Sequence, residues 1–235
     1  MVAFVVRAGL IAAMTLTWAA AARAQSTPAV QDFQAWVLLL GQVPVGDQWL
    51  IHAEAQPRFN DDVSQVDQVL LRGGIGRRLG RRVTVWGGYG FITKWNGAPV
   101  THEQRLWEQL SATLPKLGKW TPSLRFRQEQ RFLEDSGDSS HRFRALGRLV
   151  HPIGASPWSF AVWDEYFVTL DETANGPRQG FDQNRVYLTT LRKISPAVTL
   201  EFGYMWQYVP APSPRPDRDG HTLFTSFTYA PAPRR

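Results

Sequence analysis

Charged and uncharged residues alternate along the segment "SLRFRQEQRF", residues 123–132. Arg125, Arg127, Glu129 and Arg131 occupy every second position, and mainly apolar or amide side chains lie between them. Successive side chains of a β-strand point to opposite faces, whereas a helix would scatter these charges around its axis. The pattern therefore predicts a strand with one charged face and one mostly uncharged face.

The same two-faced pattern recurs along the chain. In 198–208, Phe202 and Tyr204 share one face, and Glu201 and Gln207 lie on the other. No helical segment, linker or domain boundary is indicated. The sequence predicts an all-β protein with strands at 32–43, 48–60, 66–79, 82–94, 101–115, 119–132, 140–151, 157–170, 180–192, 196–209 and 219–230.

The connections between these strands are of two kinds that alternate. One set is short: "PVGD" at 44–47, "GRR" at 80–82, "KLGK" at 116–119, "PIGASP" at 152–157 and "KISPA" at 193–197. The other set is polar and mostly longer, at 60–65, 96–100, 134–140, 171–180 and 210–220. Outer-membrane barrels have short turns on one side and longer loops on the other, so this alternation favours a barrel over a soluble sandwich.

The N-terminal residues have the features of a secretory signal peptide. Arg7 precedes an uncharged, mostly apolar run at 9–22, and Ala22-Arg23-Ala24 fits a cleavage site. The run is shorter than the roughly 20 residues of a spanning helix, although an uncleaved anchor is the alternative. We expect residues 1–24 to be a signal peptide and residues 25–235 to form one outer-membrane β-barrel domain.

Composition narrows the possible classes. The chain of 235 residues has no cysteine, which excludes disulfides and thiol chemistry. Its formal net charge of +6 could suit nucleic acid, but export makes nucleic acid a poor partner. No later apolar run is long enough for a spanning helix, and only helices and closed barrels satisfy their backbone in lipid.

These observations predict an antiparallel up-and-down transmembrane β-barrel of about 10–12 strands in the outer membrane. Eleven strands can be counted in the sequence. Because bacterial barrels have even strand numbers, we expect one strand to be missed or one segment to be split.

Several ordered stretches resemble a known family. They are "QDFQAWVLL" near residue 32, "EQRLWEQL" at 103–110, "LRFRQEQRF" at 124–132, "WDEYFVTL" at 163–170 and "FDQNRVYL" at 181–188. Together they are similar to the bacterial outer-membrane barrels of domain of unknown function 2490. The resemblance implies a barrel with no assigned activity, whose partners are outer-membrane lipid, lipopolysaccharide and the barrel-insertion machinery. Such barrels usually end on an aromatic residue, whereas here "APAPRR" follows Tyr229.

No catalytic, metal or cofactor motif stands out. The five histidines are scattered without the spacing of a zinc site, and no G-x-S-x-G elbow is present. The glycines of "GGIGRRLG" at 73–80 lack dinucleotide-binding spacing and are expected to allow barrel curvature. The acidic loop "EDSGDSS" at 134–140 lacks EF-hand spacing. We therefore expect a non-enzyme without cofactors or metal.

If the apolar faces meet lipid, the opposite faces line the lumen, where charges need water or partners. This predicts a lumen network of paired charges, since the Arg fork matches carboxylates. Its predicted members are Glu54, Arg58, Arg72, Glu103, Arg105, Trp107, Gln109, Arg125, Arg127, Glu129, Arg131, Arg142, Arg144, Arg148, Glu165, Arg185, Tyr187, Glu201 and Gln207. Four polar residues fall on the lipid face, and a bulge, a rim position or a register error could explain each: Glu108, Gln128, Gln130 and Asp164.

Three functional classes follow. The first is a structural or narrow-channel barrel, which would prefer anions if water passes because Arg dominates the predicted lumen. The second is an outer-leaflet barrel enzyme acting on lipid, for which the sequence offers no placed Ser–His pair. The third is a soluble periplasmic β-sandwich or binding module. The sequence gives no indication of the oligomeric state.

Overall fold

The computed structural model describes residues 28–95, 99–134, 136–174, 176–211 and 215–232, and these residues form eleven β-strands with their connections. The predicted signal peptide and its cleavage site lie outside these residues. The strands are β1 (Val30–Val45), β2 (Trp49–Asn60), β3 (Gln65–Leu79), β4 (Val83–Lys94), β5 (Thr101–Thr113), β6 (Thr121–Leu133), β7 (Ser139–Pro152), β8 (Trp158–Thr169), β9 (Gly180–Lys193), β10 (Val198–Val209) and β11 (Arg218–Tyr229). The eleven strands counted in the sequence are present in the same order, within the predicted range of about 10–12.

All eleven strands belong to one closed sheet, in which each strand pairs with its neighbours in sequence. Ten of these pairs are antiparallel, and β1 and β11 close the barrel as a parallel pair. Val30 is opposite Arg218 and Gly41 is opposite Tyr229 in this seam. The predicted barrel is therefore confirmed, and the alternative of a β-sandwich is wrong because the chain does not form two packed sheets.

The expectation of an even strand number is wrong for the described residues. With eleven strands, the first and last strands run in the same direction, so the sheet can close only through a parallel pair. Hydrogen bonds in a parallel pair are slanted, and the pairing is slightly less stable per residue than antiparallel pairing. The seam between β1 and β11 is thus the exceptional pair of the wall.

The connections sort to the two ends of the barrel. Residues 46–48, 80–82, 114–120, 153–157 and 194–197 lie at one end, here called the turn end. The connections that follow β2, β4, β6, β8 and β10 leave from the other end, the loop end. The sorting by length is incomplete, because 114–120 is longer than 61–64. Val30 lies at the loop end, where its backbone N–H donates to the Asp217 carbonyl at 2.9 Å.

The two faces of the wall carry the side chains that the alternation predicts. Large apolar residues point outward along most strands, such as Ile75, Leu188 and Phe202 with 61%, 56% and 40% of their surface exposed. Charged residues of the same strands point inward and are buried, such as Arg72 on β3 and Glu201 on β10. Isolated apolar side chains are common on protein surfaces, but a largely apolar outer wall around a charged interior is typical of a membrane barrel.

The four polar residues that interrupt the apolar face do lie outside the barrel. Glu108 accepts a hydrogen bond at 3.3 Å from the amide of Gln130, and the Asn184 amide donates to Asp164 at 2.6 Å. Strands β5, β6 and β7 pair without a register shift, so a bulge does not account for Glu108, Gln128 or Gln130. Glu108 and Gln128 also lie near the middle of their strands, which excludes a rim location for these two. Glu108 with Gln130 and Asp164 with Asn184 form two small hydrogen-bonded polar groups on the outer wall.

Glycines on β3 and β4 make room for two tryptophans. A Cβ atom at Gly74 would lie 2.7 Å from Cζ2 of Trp107, and a Cβ atom at Gly76 would overlap the Trp86 ring. Gly73 points outward into open space. Gly74 and Gly76 therefore serve lumen packing, beyond the barrel curvature that the sequence predicts. In the part of the chain that the structure describes, no helix is long and apolar enough to cross a membrane.

Candidate functional site

A network of buried arginines and glutamates fills the middle of the barrel. Glu129 on β6 is 1% exposed and accepts hydrogen bonds from Arg142 Nη2 at 2.6 Å and from Arg144 Nη1 at 2.7 Å. Arg105 and Arg127 each approach its oxygens to 3.8 Å. Four cations therefore surround this one carboxylate, and the network is positively charged around its centre.

The Glu165 carboxylate on β8 links the centre of the network to the turn-end half. Arg144 donates to its Oε1 through Nε at 2.9 Å and Nη2 at 2.6 Å, and Arg125 donates to the same oxygen at 2.6 Å. Arg144 thus bridges Glu129 and Glu165. Farther along, a separate pair forms where Arg148 donates to Glu201 at 2.7 Å, so ion pairs are made between residues of β6, β7, β8 and β10.

A second carboxylate group lies toward the loop end. Glu103 on β5 is fully buried and accepts from Arg105 Nε at 2.5 Å and from Arg131 Nε at 2.6 Å. Lys94 lies 3.0 Å from its other oxygen. Arg142, which also serves Glu129, reaches Asp182 at 3.1 Å. Arg105 and Arg142 are each shared between two carboxylates, and they connect the loop-end part of the lumen to the same network.

The turn-end half holds a smaller pair beside the tryptophans. Arg72 forms an ion pair with Glu54, and His52 Nε2 lies 3.4 Å from the same carboxylate. The His52 ring contacts Trp86 and Trp107 edge-on, with centroid distances of 5.7 and 5.4 Å. The apolar side chains Leu50, Trp86 and Trp107 form a buried cluster that fills this part of the lumen.

A second apolar cluster lies on the inner face of the neighbouring strands β9, β10, β11 and β1. Trp36, Tyr187, Met205 and Phe224 are buried together, and Trp163 stacks on Tyr187 with a centroid distance of 4.0 Å. Of these, the predicted lumen list contains Tyr187 alone, and of the turn-end cluster it contains Trp107 alone. The missed residues occupy positions that strand alternation places on the inner face. Trp86 lies two residues before the inward Gly88, and Trp36 is the register partner of the inward Arg58. An even spacing along the strand from inward residues is therefore the sequence signal that identifies them.

A cavity of about 290 Å³ opens above the network at the loop end, here called the vestibule. Trp36 forms part of its floor, with the guanidinium carbon of Arg58 3.7 Å and that of Arg185 4.7 Å from a Trp36 ring centroid. Arg58 donates to the Gln56 and Gln68 side chains, and Arg185 donates to Gln183. Both arginines are therefore held by neutral oxygens and an aromatic ring.

The structure places the predicted network residues on the inner face of the wall. The buried members are Arg58, Arg72, Glu103, Arg105, Trp107, Arg127, Glu129, Arg131, Arg142, Arg144, Glu165, Arg185, Tyr187 and Glu201. Glu54, Gln109, Arg125, Arg148 and Gln207 are partly buried and hydrogen-bonded to other inward residues. Arg58 and Arg185 differ from the other arginines because they take no part in the ion pairs.

Among the residues that the structure describes, no side-chain hydrogen bond joins a histidine outside the lumen to a serine. His141 Nδ1 lies 2.7 Å from Asp171, and the Ser140 hydroxyl donates to Asp171 at 3.1 Å instead of contacting His141. Partial burial raises the pKa of Asp171. The hydrogen bonds from His141 and Ser140 lower this pKa by more than burial raises it, so the pKa lies below its usual range. Among the described residues, no cluster of three or more histidine, aspartate or glutamate side chains could hold a metal ion.

Comparisons with known proteins give one family and few relatives. A family model described as "Protein of unknown function (DUF2490)" matches residues 33–218. An uncharacterized protein of Methylorubrum extorquens is 32% identical over 202 residues, which cover 84% of this chain and 87% of that protein. The NanC porin, solved in a rhombohedral crystal form, is 13% identical with a TM-score of 0.48, over 80% of this chain and 93% of that one.

Proposed function

Because the chain belongs to the DUF2490 family of proteins of unknown function, we propose a function from its own geometry. The protein is an outer-membrane β-barrel whose lumen is held shut by its Arg/Glu network. Its role is structural, or that of a narrow pathway that admits small anions. It has no catalytic activity of its own.

The outer wall supports location in a membrane. A closed sheet leaves no unpaired strand edge, which is the condition for a β structure to lie in lipid. Its outer face is lined by apolar residues such as Leu39, Ile51, Leu71, Leu223 and Phe227, each about half exposed. In water this face would be an extended apolar surface of the kind that drives aggregation.

The buried ion network is the observation that carries the proposal. Eight strands leave an interior just filled by side chains, and 16–18 leave an aqueous channel, so eleven strands lie between these limits. Here the interior is occupied at mid-height by Glu129 and Glu165 with their arginines, and toward the turn end by Trp86 and Trp107. Fixed bidentate and shared ion pairs resist displacement more than single mobile side chains do.

The sign of the lumen supports a preference for anions. The inner wall carries the ten predicted arginines against Glu54, Glu103, Glu129, Glu165 and Glu201. Rings of arginine favour anions in pores. Any pathway through the network would therefore be expected to exclude cations.

Reconstitution of the folded protein in planar bilayers tests the proposal. We expect no current or a small conductance with reversal potentials that favour anions in a salt gradient. A large, steady, cation-preferring conductance would refute both the closed lumen and its sign. Recovery of the folded protein from the periplasm without detergent would refute the membrane location.

A variant pair makes the absence of current informative. The double change Trp86→Ala and Trp107→Ala removes two ring systems from the turn-end cluster and is expected to raise the conductance. Trp49→Ala, on the outer wall at 50% exposure, removes the same kind of ring and should leave it unchanged. If the lumen double variant and the outer-wall variant conduct alike, the tryptophans do not obstruct the path.

A further inference from the structure

Two arginines of the lumen have no acidic partner. Arg58 on β2 is 7% exposed and Arg185 on β9 is 6% exposed. Among the described residues, no carboxylate oxygen lies within 4.0 Å of either guanidinium. Burial of a charge without a counter-charge is costly, so an unpaired buried arginine calls for an explanation.

The two charges also lie near each other. Both guanidinium groups pack on the Trp36 ring, at 3.7 Å and 4.7 Å from its centroids, and Arg185 also lies 4.6 Å from the Phe167 ring. Aromatic faces stabilise guanidinium groups, but they leave the repulsion between the two cations uncompensated. An anion placed between them would relieve this repulsion.

The hydrogen-bonding capacity of this pair is incomplete. The Nε–H of Arg185 is buried and has no acceptor, and its Nη2 donates only to the Gln183 amide oxygen at 3.2 Å. Gln183 also accepts from Gln207, so this oxygen is shared. The Nε–H groups of Arg72, Arg125 and Arg148 also lack acceptors, but these arginines have carboxylate partners. Arg185 combines an unsatisfied buried donor with an unpaired charge, which indicates a missing partner.

The two unpaired arginines lie at the wall of a cavity. Arg58 and Arg185 both line the vestibule, whose lining has nine basic side chains and five carboxylates. The carboxylates include Asp32, Asp67 and Asp219 near the mouth, whereas the unpaired arginines lie on the floor. The charge at the floor is therefore positive and reachable from the loop end.

We propose that the vestibule floor is a binding site for a small oxyanion, a carboxylate or a phosphate, held by Arg58 and Arg185 above Trp36. The guanidinium fork matches the planar or tetrahedral oxygen array of these groups. The cavity volume of about 290 Å³ is about that of ten liquid waters at roughly 30 Å³ each, so the ligand is small. This inference rests on the proposed function, because it assumes that the lumen is the functional part of the barrel.

Direct binding to the folded protein in detergent tests the site. Succinate and inorganic phosphate are titrated by calorimetry against sodium chloride of matched ionic strength, so that the two arms separate a carboxylate from a phosphate ligand. We expect saturable binding of at least one probe. Arg58→Gln and Arg185→Gln should each weaken it by about tenfold or more, because each removes a charged hydrogen-bond donor.

Arg148→Gln is the matched control, because it removes one lumen charge that lies away from the vestibule and is paired with Glu201. It should retain the affinity of the unaltered protein. If Arg185→Gln does not fold, Arg185→Lys keeps the charge and should still weaken binding, since an ammonium lacks the fork.

Absence of saturable binding for both probes, or equal weakening by Arg148→Gln, would overturn the inference. A barrel that binds oxyanions but carries no current leaves the site standing while refuting a channel. A barrel that conducts anions without saturable binding refutes the site and leaves the proposed pathway intact.

Discussion

Replacement of Glu129 by glutamine is the most informative test of the lumen network. The change keeps the shape of the side chain and removes one negative charge from a site that is 1% exposed. Arg142 and Arg144 would lose their charged partner at 2.6 and 2.7 Å, and Arg105 and Arg127 would lose the nearest compensating charge. The perturbation is thus electrostatic and leaves packing intact.

The magnitude follows from this environment. Removal of one partner from a buried ion pair costs about 3–5 kcal/mol, because the remaining charge stays buried without compensation. The glutamine oxygen can still accept one hydrogen bond, which places the expected loss near the lower figure, at about 3 kcal/mol. Arg144 retains Glu165, so part of its charge remains compensated. This loss is large relative to the roughly 5–15 kcal/mol of a typical folded protein.

The control lies one strand away on the opposite face. Glu108→Gln makes the same chemical change at an exposed outer position whose carboxylate contacts only the Gln130 amide among the contacts that the structure describes. Because a charge in lipid is unfavourable, this change should be neutral or slightly stabilising. The free energy of unfolding is measured by urea titration in lipid vesicles, followed by tryptophan fluorescence and by the gel shift between folded and unfolded barrel.

Two outcomes would refute the reasoning. Equal effects of Glu129→Gln and Glu108→Gln would mean that the inward carboxylate is not buried among cations. A loss below about 1 kcal/mol for Glu129→Gln would mean that water compensates the arginines, as in an open lumen. If the network acts as a unit, combining Glu129→Gln with Arg144→Gln should cost less than the sum of the single changes.

Three further changes probe the wall and one loop. Gly74→Ala should destabilise the barrel by about 1–3 kcal/mol through overpacking against Trp107, whereas Gly73→Ala beside it should be tolerated in urea titrations; equal costs would exclude the packing role. Phe202→Arg should cost about 2–4 kcal/mol in lipid vesicles and much more than Phe202→Leu, and similar costs would place this face away from lipid. Val63 has a φ of 66° in the 61–64 loop, so Val63→Gly should stabilise the protein by about 1 kcal/mol in the same titration, and a loss would show that no strain is relieved.

Most of the wall could be predicted from the sequence because strand alternation has a period of two. Once Arg125 and Arg127 are assigned to the inner face, the faces of all remaining residues in β6 follow from the alternation. The polar groups at Glu108 and Asp164 did not mislead this assignment, because the rest of each strand fixed its register. The boundaries of most strands also follow from turn residues, as at 80–82.

The closure and the interior contacts could not be predicted in the same way. Strand number alone does not show which edges meet, so the parallel pairing of β1 with β11 is visible only in three dimensions. Inward apolar residues such as Phe224 are absent from the predicted lumen network, because hydrophobicity alone does not distinguish a buried lumen residue from one that meets lipid. The distinction between paired Arg144 and unpaired Arg185 depends on which side chains reach across the lumen, and sequence spacing carries no such information.

The parallel seam has a consequence for rearranging this chain. In a barrel with an even strand count, the first and last strands end at the same rim, so a short linker allows circular permutation there. Here Val30 and Tyr229 lie at opposite rims, and a linker would have to span a 12-residue strand such as β11, about 40 Å at roughly 3.3 Å per residue. Its course through the lumen is obstructed by the ion network, and its course outside would cross the lipid-facing wall. Duplication of a hairpin adds two strands and preserves the odd count, so the seam would persist through growth by hairpins and disappear only with the gain or loss of a single strand.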